Sequence, residues 1–291
     1  MTRVAFATAA PWADLAADDR LAAAELEKRG LTVCPALWDS PTEDWAAYDA
    51  VVIRSTWDYH TRHAAYLDWL GRLEAAHVYL FNPPEVMRWN SNKTYLQDLA
   101  RDGVRIPPTM VVEQFSAPSL ERLVREAGWE KAVVKPTVAA NAYETWMTDL
   151  GTLQHTPDGQ SAFEALLRKS TVLLQAYLPE VATGGEWSFI FFNKAFSHAV
   201  LKRPREGDFR VQENYGGKTS PVEAPGRLIA QAERICRTVR DDLLYARVDG
   251  VEVNGELVLM ELELIEPSLF FGSHPQAAGR FADALLTCLA P

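Results

Sequence analysis

Residues 246–271, ARVDGVEVNGELVLMELELIEPSLFF, hold the pattern on which the reading of the fold turns. Two apolar runs flank Asn254-Gly255, a pair that tolerates positive backbone φ and so favours a tight β-hairpin turn. Yet Asp249, Glu261 and Glu263 stand among Val, Leu and Met, where burial is heavy. A lone carboxylate in such a place loses its hydration and takes up a proton unless a cation faces it. Residues two apart in a strand share a face, so Glu261 and Glu263 point the same way. Neighbouring carboxylates repel unless a cation lies between them, and oxygen-only ligands without His or Cys favour Mg²⁺ or Mn²⁺ over zinc. Register supplies a test. A strict two-residue turn pairs Asp249 with Met260 and sends Asp249 and Glu261 to opposite faces. A longer loop, or a bulge, pairs Asp249 with Glu261 and gathers all three acids. The same spacing also suits a one-sided strand whose acids face solvent.

The rest of the chain bounds what such a cluster can serve. A chain of 291 residues holds two or three sub-domains, and its 48% hydrophobic and 23% charged residues are ordinary for a soluble globular protein. The net charge of −10 argues against nucleic acid or an anionic membrane as the main partner. It leaves room for a nucleotide ligand where positive charge is concentrated locally. Cys34, Cys236 and Cys288 lie far apart with no C-x-x-C spacing, and reduced thiols of a cytoplasmic protein are expected. The opening MTRVAFATAAPWADLAADD meets acids almost at once, so a first strand is expected there, not a signal peptide. No apolar run approaches the roughly 20 residues of a membrane span.

Strand and helix alternate through the first third: RVAFATA, DLAADDRLAAAELEKRG, LTVCPALW, AYDAVVIRSTW, RHAAYLDWLGRLEAAH and VYLFNPP. That alternation predicts a parallel sheet covered by helices, with ligands gathering beyond the carboxyl ends of its strands. Arg54, Ser55, Trp57 and Asp58 follow AVVI at such an end. The middle third reads as a small α+β domain, with strands KAVVKP and TVLLQAYL. Further on come strands EWSFIFFN and KAFSHAVLKRP, a polar loop to about residue 220, a long helix, and the opening hairpin.

Lys135 ends the strand AVVKP and Lys93 starts a helix. A lysine at a strand end can snorkel to solvent, but the small residues after Lys135 also suit a loop lying over a ligand. In LLQAYLPEVATGGEWSF, Gln175 and the backbone after it suit an adenine edge, with Glu180 or Glu186 available for ribose hydroxyls. Lys202, Arg203, Arg205 and Arg210 precede Gly216 and Gly217; such concentrated basic charge suits an anion or a solvated loop.

Together these stretches resemble the ATP-grasp superfamily, nearest to its glutathione synthetase-like branch. VVIRSTWDY, FNPPEVMRWNSNKTYL, AVVKP, LLQAYL…GGEWSF, RPREGDFR…GG and ARVDG…LMELELIEPS occur in family order. The resemblance implies an α/β and α+β ATP-grasp fold of three parts: an N-terminal parallel α/β substrate domain (1–90), a central lid (91–176) and a C-terminal domain for ATP and metal (177–291). It implies ATP and Mg²⁺ (or Mn²⁺) as cofactors. Lys93 and Lys135 match the two nucleotide-phosphate lysines. Gln175, Ala176, Tyr177 and Leu178 match the adenine hinge. Glu186 matches the ribose acid, with Glu180 able to share its task, and Asp249, Glu261 and Glu263 match the metal ligands. Arg247 matches the arginine that steadies phosphate and intermediate, and Arg54 an arginine near the carboxylate substrate. Two departures are visible: TVAANAYET carries no glycine where the family loop is glycine-rich, and Glu263 replaces the usual Asn.

The chemistry implied is activation of a carboxylate as an acylphosphate, followed by attack of an amine-type nucleophile. The charge of the transferring phosphoryl group would be met by the divalent cation, Lys135, Lys202, Arg210 and Arg247. An amino-acid-like substrate is expected, with Arg54 near its carboxylate, Asp58 near its amino group and Ser55 a further substrate residue. IRSTWDY, KPT and the acids before EPSLFF look most like a small bacterial group of cyclo-ligases acting on O-ureido-D-serine. An intermolecular amino-acid or peptide ligase and a non-catalytic ATP-binding regulatory module are the alternatives. The resemblance permits a homodimer, which the sequence itself does not show.

Overall fold

The computed structural model describes residues 2–155 and 158–290 and builds them into three sheets. β1 (Arg3–Thr8), α1 (Ala17–Lys28), β2 (Thr32–Leu37), β3 (Ala50–Ile53), α2 (His63–Ala75) and β4 (Leu80–Phe81) form the first. Its order is β2-β1-β3-β4 and every pairing is parallel. The reason lies in composition. β1 after Arg3 and the whole of β3 are buried, so both faces need cover, and the crossover helices supply it. Asp18 and Asp19 in the first turn of α1 and Lys28 in its last complement the helix dipole.

α3 (Pro84–Asn90) and α4 (Tyr95–Arg101) lead to β5 (Thr109–Val112), α5 (Leu120–Glu126), β6 (Lys131–Pro136), β7 (Trp146–Asp149), α6 (Leu150–His155), α7 (Asp158–Leu167) and β8 (Val172–Ala176). These strands make a second, antiparallel sheet in the order β5-β8-β6-β7. Val112, Leu120, Val124, Val134, Phe163 and Leu174 form its own core.

α8 (Glu180–Thr183) precedes β9 (Glu186–Phe192), β10 (Ala195–Arg203), β11 (Lys218–Val222), α9 (Gly226–Thr238), β12 (Tyr245–Val253), β13 (Glu256–Glu263) and α10 (Ala277–Leu289). The third sheet runs β11-β10-β9-β12-β13, antiparallel throughout. α10 does not stay with this sheet alone. Phe281 and Leu285 join Val4, Phe6 and Leu26 in one core with Ile190, Phe192 and Tyr245, so the first and third sheets share an interior.

α3, β5, β7, α8, β11 and α10 go beyond the strands and helices expected from sequence. The prolines of FNPP end β4 as expected, but a proline at the first helical position also starts a helix, and α3 begins on Pro84. β7 and β11 are short edge strands defined by their partners more than by their own apolar pattern. Among the described residues no helix is long and apolar enough to cross a membrane, and Cys34, Cys236 and Cys288 are free thiols.

Candidate active site

The hairpin register resolves the question posed by the three acids. Val253 faces Glu256, so the turn is the strict two-residue one, with Asn254 at φ 53° and Gly255 at φ 84°. That pairing persists to Gly250 and Leu259, and would have carried Asp249 opposite Met260. A bulge at Met260 instead shifts the ladder by one residue and places Asp249 opposite Glu261. The expected longer loop is therefore absent; the bulge restores the register. Gly250 is required beside it, because a Cβ there would lie 2.7 Å from Leu257 Cδ1 and 2.9 Å from the Val258 carbonyl oxygen. Asp249, Glu261 and Glu263 consequently offer oxygens that all lie within 4.8 Å of one another.

Cations hold this charge in place. Arg247 Nε donates to Asp249 Oδ1 at 3.0 Å and its Nη2 to Oδ2 at 2.9 Å, while Nη2 also pairs with Glu263 Oε1. Lys202 Nζ bridges Asp249 Oδ2 at 2.9 Å and Glu186 Oε1 at 2.6 Å. Lys93 pairs with Glu261 Oε1, and Ser188 Oγ donates to Asp249 Oδ1 at 2.6 Å. Burial acts to raise the Asp249 carboxyl, yet Arg247 and Lys202 override it and hold it well below the usual range. Glu263 has weaker compensation and is pushed by burial up to about 7 against the pull of Arg247. Lys135, with no ion pair within 4 Å among the described residues, is drawn by burial down to about 8 although Glu261 opposes the fall.

The acids and cations of this set line one cleft of about 640 Å³ between the second and third sheets. Of the residues singled out from sequence, Lys93, Lys135, Gln175, Ala176, Tyr177, Leu178, Glu186, Lys202, Arg210, Arg247, Asp249, Glu261 and Glu263 all line it. The Gln175 amide is committed to Thr109 Oγ1 at 2.9 Å, which leaves recognition at that strand end to neighbouring backbone. Arg210 turns toward its own loop, donating to Asp208 at 2.9 Å and lying 3.7 Å above the Tyr215 ring.

Glu180, Arg54, Ser55 and Asp58 are not among the lining residues. Arg54 is 1% exposed; its Nε donates to Asp19 at 2.9 Å and its Nη2 to the Pro267 carbonyl at 2.9 Å. Ser55 bonds to the same Asp19. Asp58 accepts from Trp38 Nε1 at 2.9 Å and pairs with Arg62. Arg54, Ser55 and Asp58 are thus committed to internal partners. The sequence argument placed them correctly beyond a strand end but had no view of where their side chains turn.

Other residues complete the cleft. Trp12, Asp18, Trp57, Tyr59, Glu266, Ser268 and Phe270 close the end nearest the first sheet. Trp12 meets Trp57 edge to face at 4.6 Å, and Trp57 Nε1 donates to the Glu266 carbonyl at 2.8 Å. Glu266 is pushed by burial up to about 8. Trp12 and Asp18 went unmarked, although they follow β1, whose carboxyl end was a place to look. The glycine-free loop after Lys135 supplies Ala139, Ala140, Asn141, Ala142 and Thr145. It bends through left-handed positions at Asn141 (φ 52°), Ala142 (φ 55°) and Glu144 (φ 46°), which glycine would occupy at lower cost.

A metal fits the donor set. Three carboxylates converge without sulfur or nitrogen ligands, as a hard divalent cation requires, and the ties to Lys93 and Arg247 engage Oε1 alone of Glu261 and Glu263. Four acids (Glu186, Asp249, Glu261, Glu263) stand among four cations (Lys93, Lys135, Lys202, Arg247), an arrangement suited to a polyanion carrying its own divalent ion.

Residues 4–82 match the family described as D-cycloserine synthetase DcsG, N-terminal domain. Over 274 residues the chain is 31% identical to the cycloserine biosynthesis protein DcsG of Streptomyces lavendulae, covering 90% of each. The crystal structure of D-cycloserine synthetase DcsG is similar with a TM-score of 0.87 and 28% identity, covering 99% of this chain and 100% of that one. A D-alanine–D-alanine ligase from Bacillus anthracis, solved in complex with ATP, shares the fold with a TM-score of 0.68 at 14% identity, over 99% and 97%.

Proposed function

The chain belongs to the D-cycloserine synthetase family of ATP-grasp ligases, and from that footing we propose that it closes a ring within O-ureido-D-serine to give D-cycloserine. The observation that carries the reading is the gathering of Asp249, Glu261 and Glu263 with Lys93, Lys135, Lys202 and Arg247 in one cleft. Ligation with ATP is the activity of the family. The residue roles, the substrate and the cyclisation are the proposal.

In this reading residues 1–90 carry the substrate side, 91–176 the lid, and 177–291 the ATP and metal side. Lys93 and Lys135 would bind nucleotide phosphates, Ala176, Tyr177 and Leu178 the adenine, and Glu186 the ribose. Asp249, Glu261 and Glu263 would hold Mg²⁺ or Mn²⁺, which supplies positive charge for the phosphates. A substrate carboxylate oxygen attacks the γ-phosphorus and ADP leaves. The nitrogen bonded to the side-chain oxygen then attacks the acyl carbon, loses its proton, and phosphate departs. Water adds to the carbamoyl carbon, and the bond from that carbon to the ring nitrogen breaks as the nitrogen takes up a proton. The carbamic acid released falls apart to carbon dioxide and ammonia, leaving D-cycloserine. Arg247 sits where it can steady charge on both the carboxylate and the acylphosphate, since it already spans Asp249 and Glu263. Lys135, unpaired and drawn down by burial, would be held protonated by the arriving phosphates. The loop over the cleft would exclude water from the acylphosphate.

The test is ADP release from Mg-ATP with O-ureido-D-serine, with D-cycloserine measured alongside. Glu261→Gln keeps the shape of the side chain and removes its charge; turnover should fall by roughly 10²-fold or more while the thermal midpoint stays near that of the parent. Turnover left intact would break the metal assignment. ADP release dependent on a second amine, without ring product, would make the protein an intermolecular ligase.

A further inference from the structure

At the end of the cleft nearest the first sheet, one carboxylate has no use in this account. Asp18 lines the cleft beside Trp12, Trp57 and Phe270. Its Oδ1 accepts from the Gly272 backbone N–H at 3.0 Å, which fixes the side chain. Its Oδ2 is enclosed and meets no hydrogen-bond partner among the described residues. Arg54, the nearby cation, is engaged by Asp19 and the Pro267 carbonyl and forms no ion pair with Asp18 within 4 Å. An enclosed carboxylate oxygen without a donor is costly in the free protein and becomes favourable once a cationic donor arrives.

We propose that Asp18 is the anchor for the substrate's α-ammonium group, and thereby a specificity-determining residue. The proposal rests on the ligase reading above for the identity of the substrate, but on the cleft geometry for the group recognised. The small molecule carries opposite charges on one carbon, so the groups that meet them must lie near one another. Arg247, on the side where the carboxylate reacts, donates to the Ser268 carbonyl at 3.0 Å and lies 5.5 Å from the Phe270 ring, and Asp18 holds Gly272 of the same segment. An ammonium held there keeps its proton, so it is no nucleophile and cannot compete with the ring-closing nitrogen. Burial raises the Asp18 carboxyl, with the Gly272 and Phe271 amides opposing, as suits a group awaiting its counter-charge. Asp58, the sequence-based choice for the amino group, is already held by Trp38 and Arg62.

The experiment compares O-ureido-D-serine with its des-amino analogue, 3-(ureidooxy)propanoic acid. Binding is measured by calorimetry in the presence of Mg²⁺ and a non-hydrolysable ATP analogue, and ADP release is measured separately with ATP. The parent should bind the amino compound about 10- to 100-fold more tightly than the analogue. Asp18→Asn keeps an oxygen acceptor for Gly272, so the fold should be retained while that preference collapses; Asp18→Glu should restore part of it. Nucleotide affinity should be unchanged in both variants. Equal discrimination in the parent and Asp18→Asn overturns the proposal. A lowered melting midpoint with discrimination intact also overturns it, since Asp18 would then serve Arg54. Collapse in Glu266→Gln but not Asp18→Asn moves the anchor to Glu266 and overturns it as well. Loss of ADP release with ammonium-dependent binding preserved would count against the ligase reading and leave the anchor standing.

Discussion

Between the first and third sheets, buried side chains bond backbone across the seam. Asn82 donates to the Tyr245 and Leu264 carbonyls at 2.9 Å each and accepts from Leu244 N–H at 2.8 Å. Asn90 spans the Leu262 carbonyl and Leu264 N–H at 2.7 and 2.9 Å. Tyr245 Oη shares its one proton between the Ile265 carbonyl at 2.7 Å and the Ile53 carbonyl at 2.9 Å. The second sheet meets the rest differently. It has its own core, while Leu173 of β8 and Val111 of β5 pack into the neighbouring one. Its loops touch across the cleft through Lys93 N–H to the Thr137 carbonyl, 2.7 Å, and through Tyr143 against His60, ring centres 5.0 Å apart. One seam consists of satisfied buried hydrogen bonds and broad shared apolar packing; the other consists of a narrower apolar contact through Leu173 and Val111 and a few loop contacts around an open cavity. The first suits a fixed surface for chemistry, and the second suits the movement that the proposed lid would make over it.

The largest effect is expected at the fixed seam. Asn82→Ala strands two carbonyls and one N–H in the interior, so stability should fall by about 3 kcal/mol or more, read from the urea midpoint. A loss below about 1 kcal/mol would mean that water enters and that the seam is less closed than it looks. Acid supplies a second probe of the same body. His198 bonds the Leu269 carbonyl at 3.0 Å, and burial lowers its pKa to about 4, with that carbonyl opposing and His274 and Arg280 adding to the fall. The unfolded chain binds this proton near 6.5 and the folded one only near 4. His198 therefore contributes stability that is complete above about 6.5 and is lost as pH falls toward 4, up to about 3 kcal/mol. Comparing denaturation at pH 7 and pH 4.5, His198→Gln should show a shallower loss than the parent. Tyr245→Phe removes a hydroxyl that serves two carbonyls and should cost about 1–2 kcal/mol.

The smallest effect on stability is expected at the proposed lid. Tyr143 is 44% exposed, and Tyr143→Ala should change stability by less than about 0.5 kcal/mol. Its effect should appear in coupling instead: more ADP released per ring product, because water reaches the acylphosphate when the loop loses its hold on His60. An unchanged ratio of ADP to product would remove the distinction between the two seams as far as closure is concerned.

Much of this architecture is local and therefore legible in the chain. The βα alternation before residue 82, the breaks at Gly and Pro, and the Asn254-Gly255 turn each follow from side-chain periodicity and backbone preference over a few residues. The acids at 249, 261 and 263 were conspicuous for the same reason: charge inside an apolar strand pattern demands a partner. Which partners, and which face, lay beyond the sequence. The bulge at Met260 rearranges the ladder by one residue, and that choice is decided by the close approach at Gly250 and by Arg247, Lys202 and Lys93 converging from two separate strands and the turn before α4. Likewise Arg54, Ser55 and Asp58 stand where a parallel sheet places ligands, yet Asp19, Pro267, Trp38 and Arg62 claim them first, while Asp18 is left facing the cleft with one oxygen unbonded. Sequence fixes the residue types and their order through short-range geometry; tertiary packing decides which charges meet, because that depends on groups many residues apart competing for the same buried space.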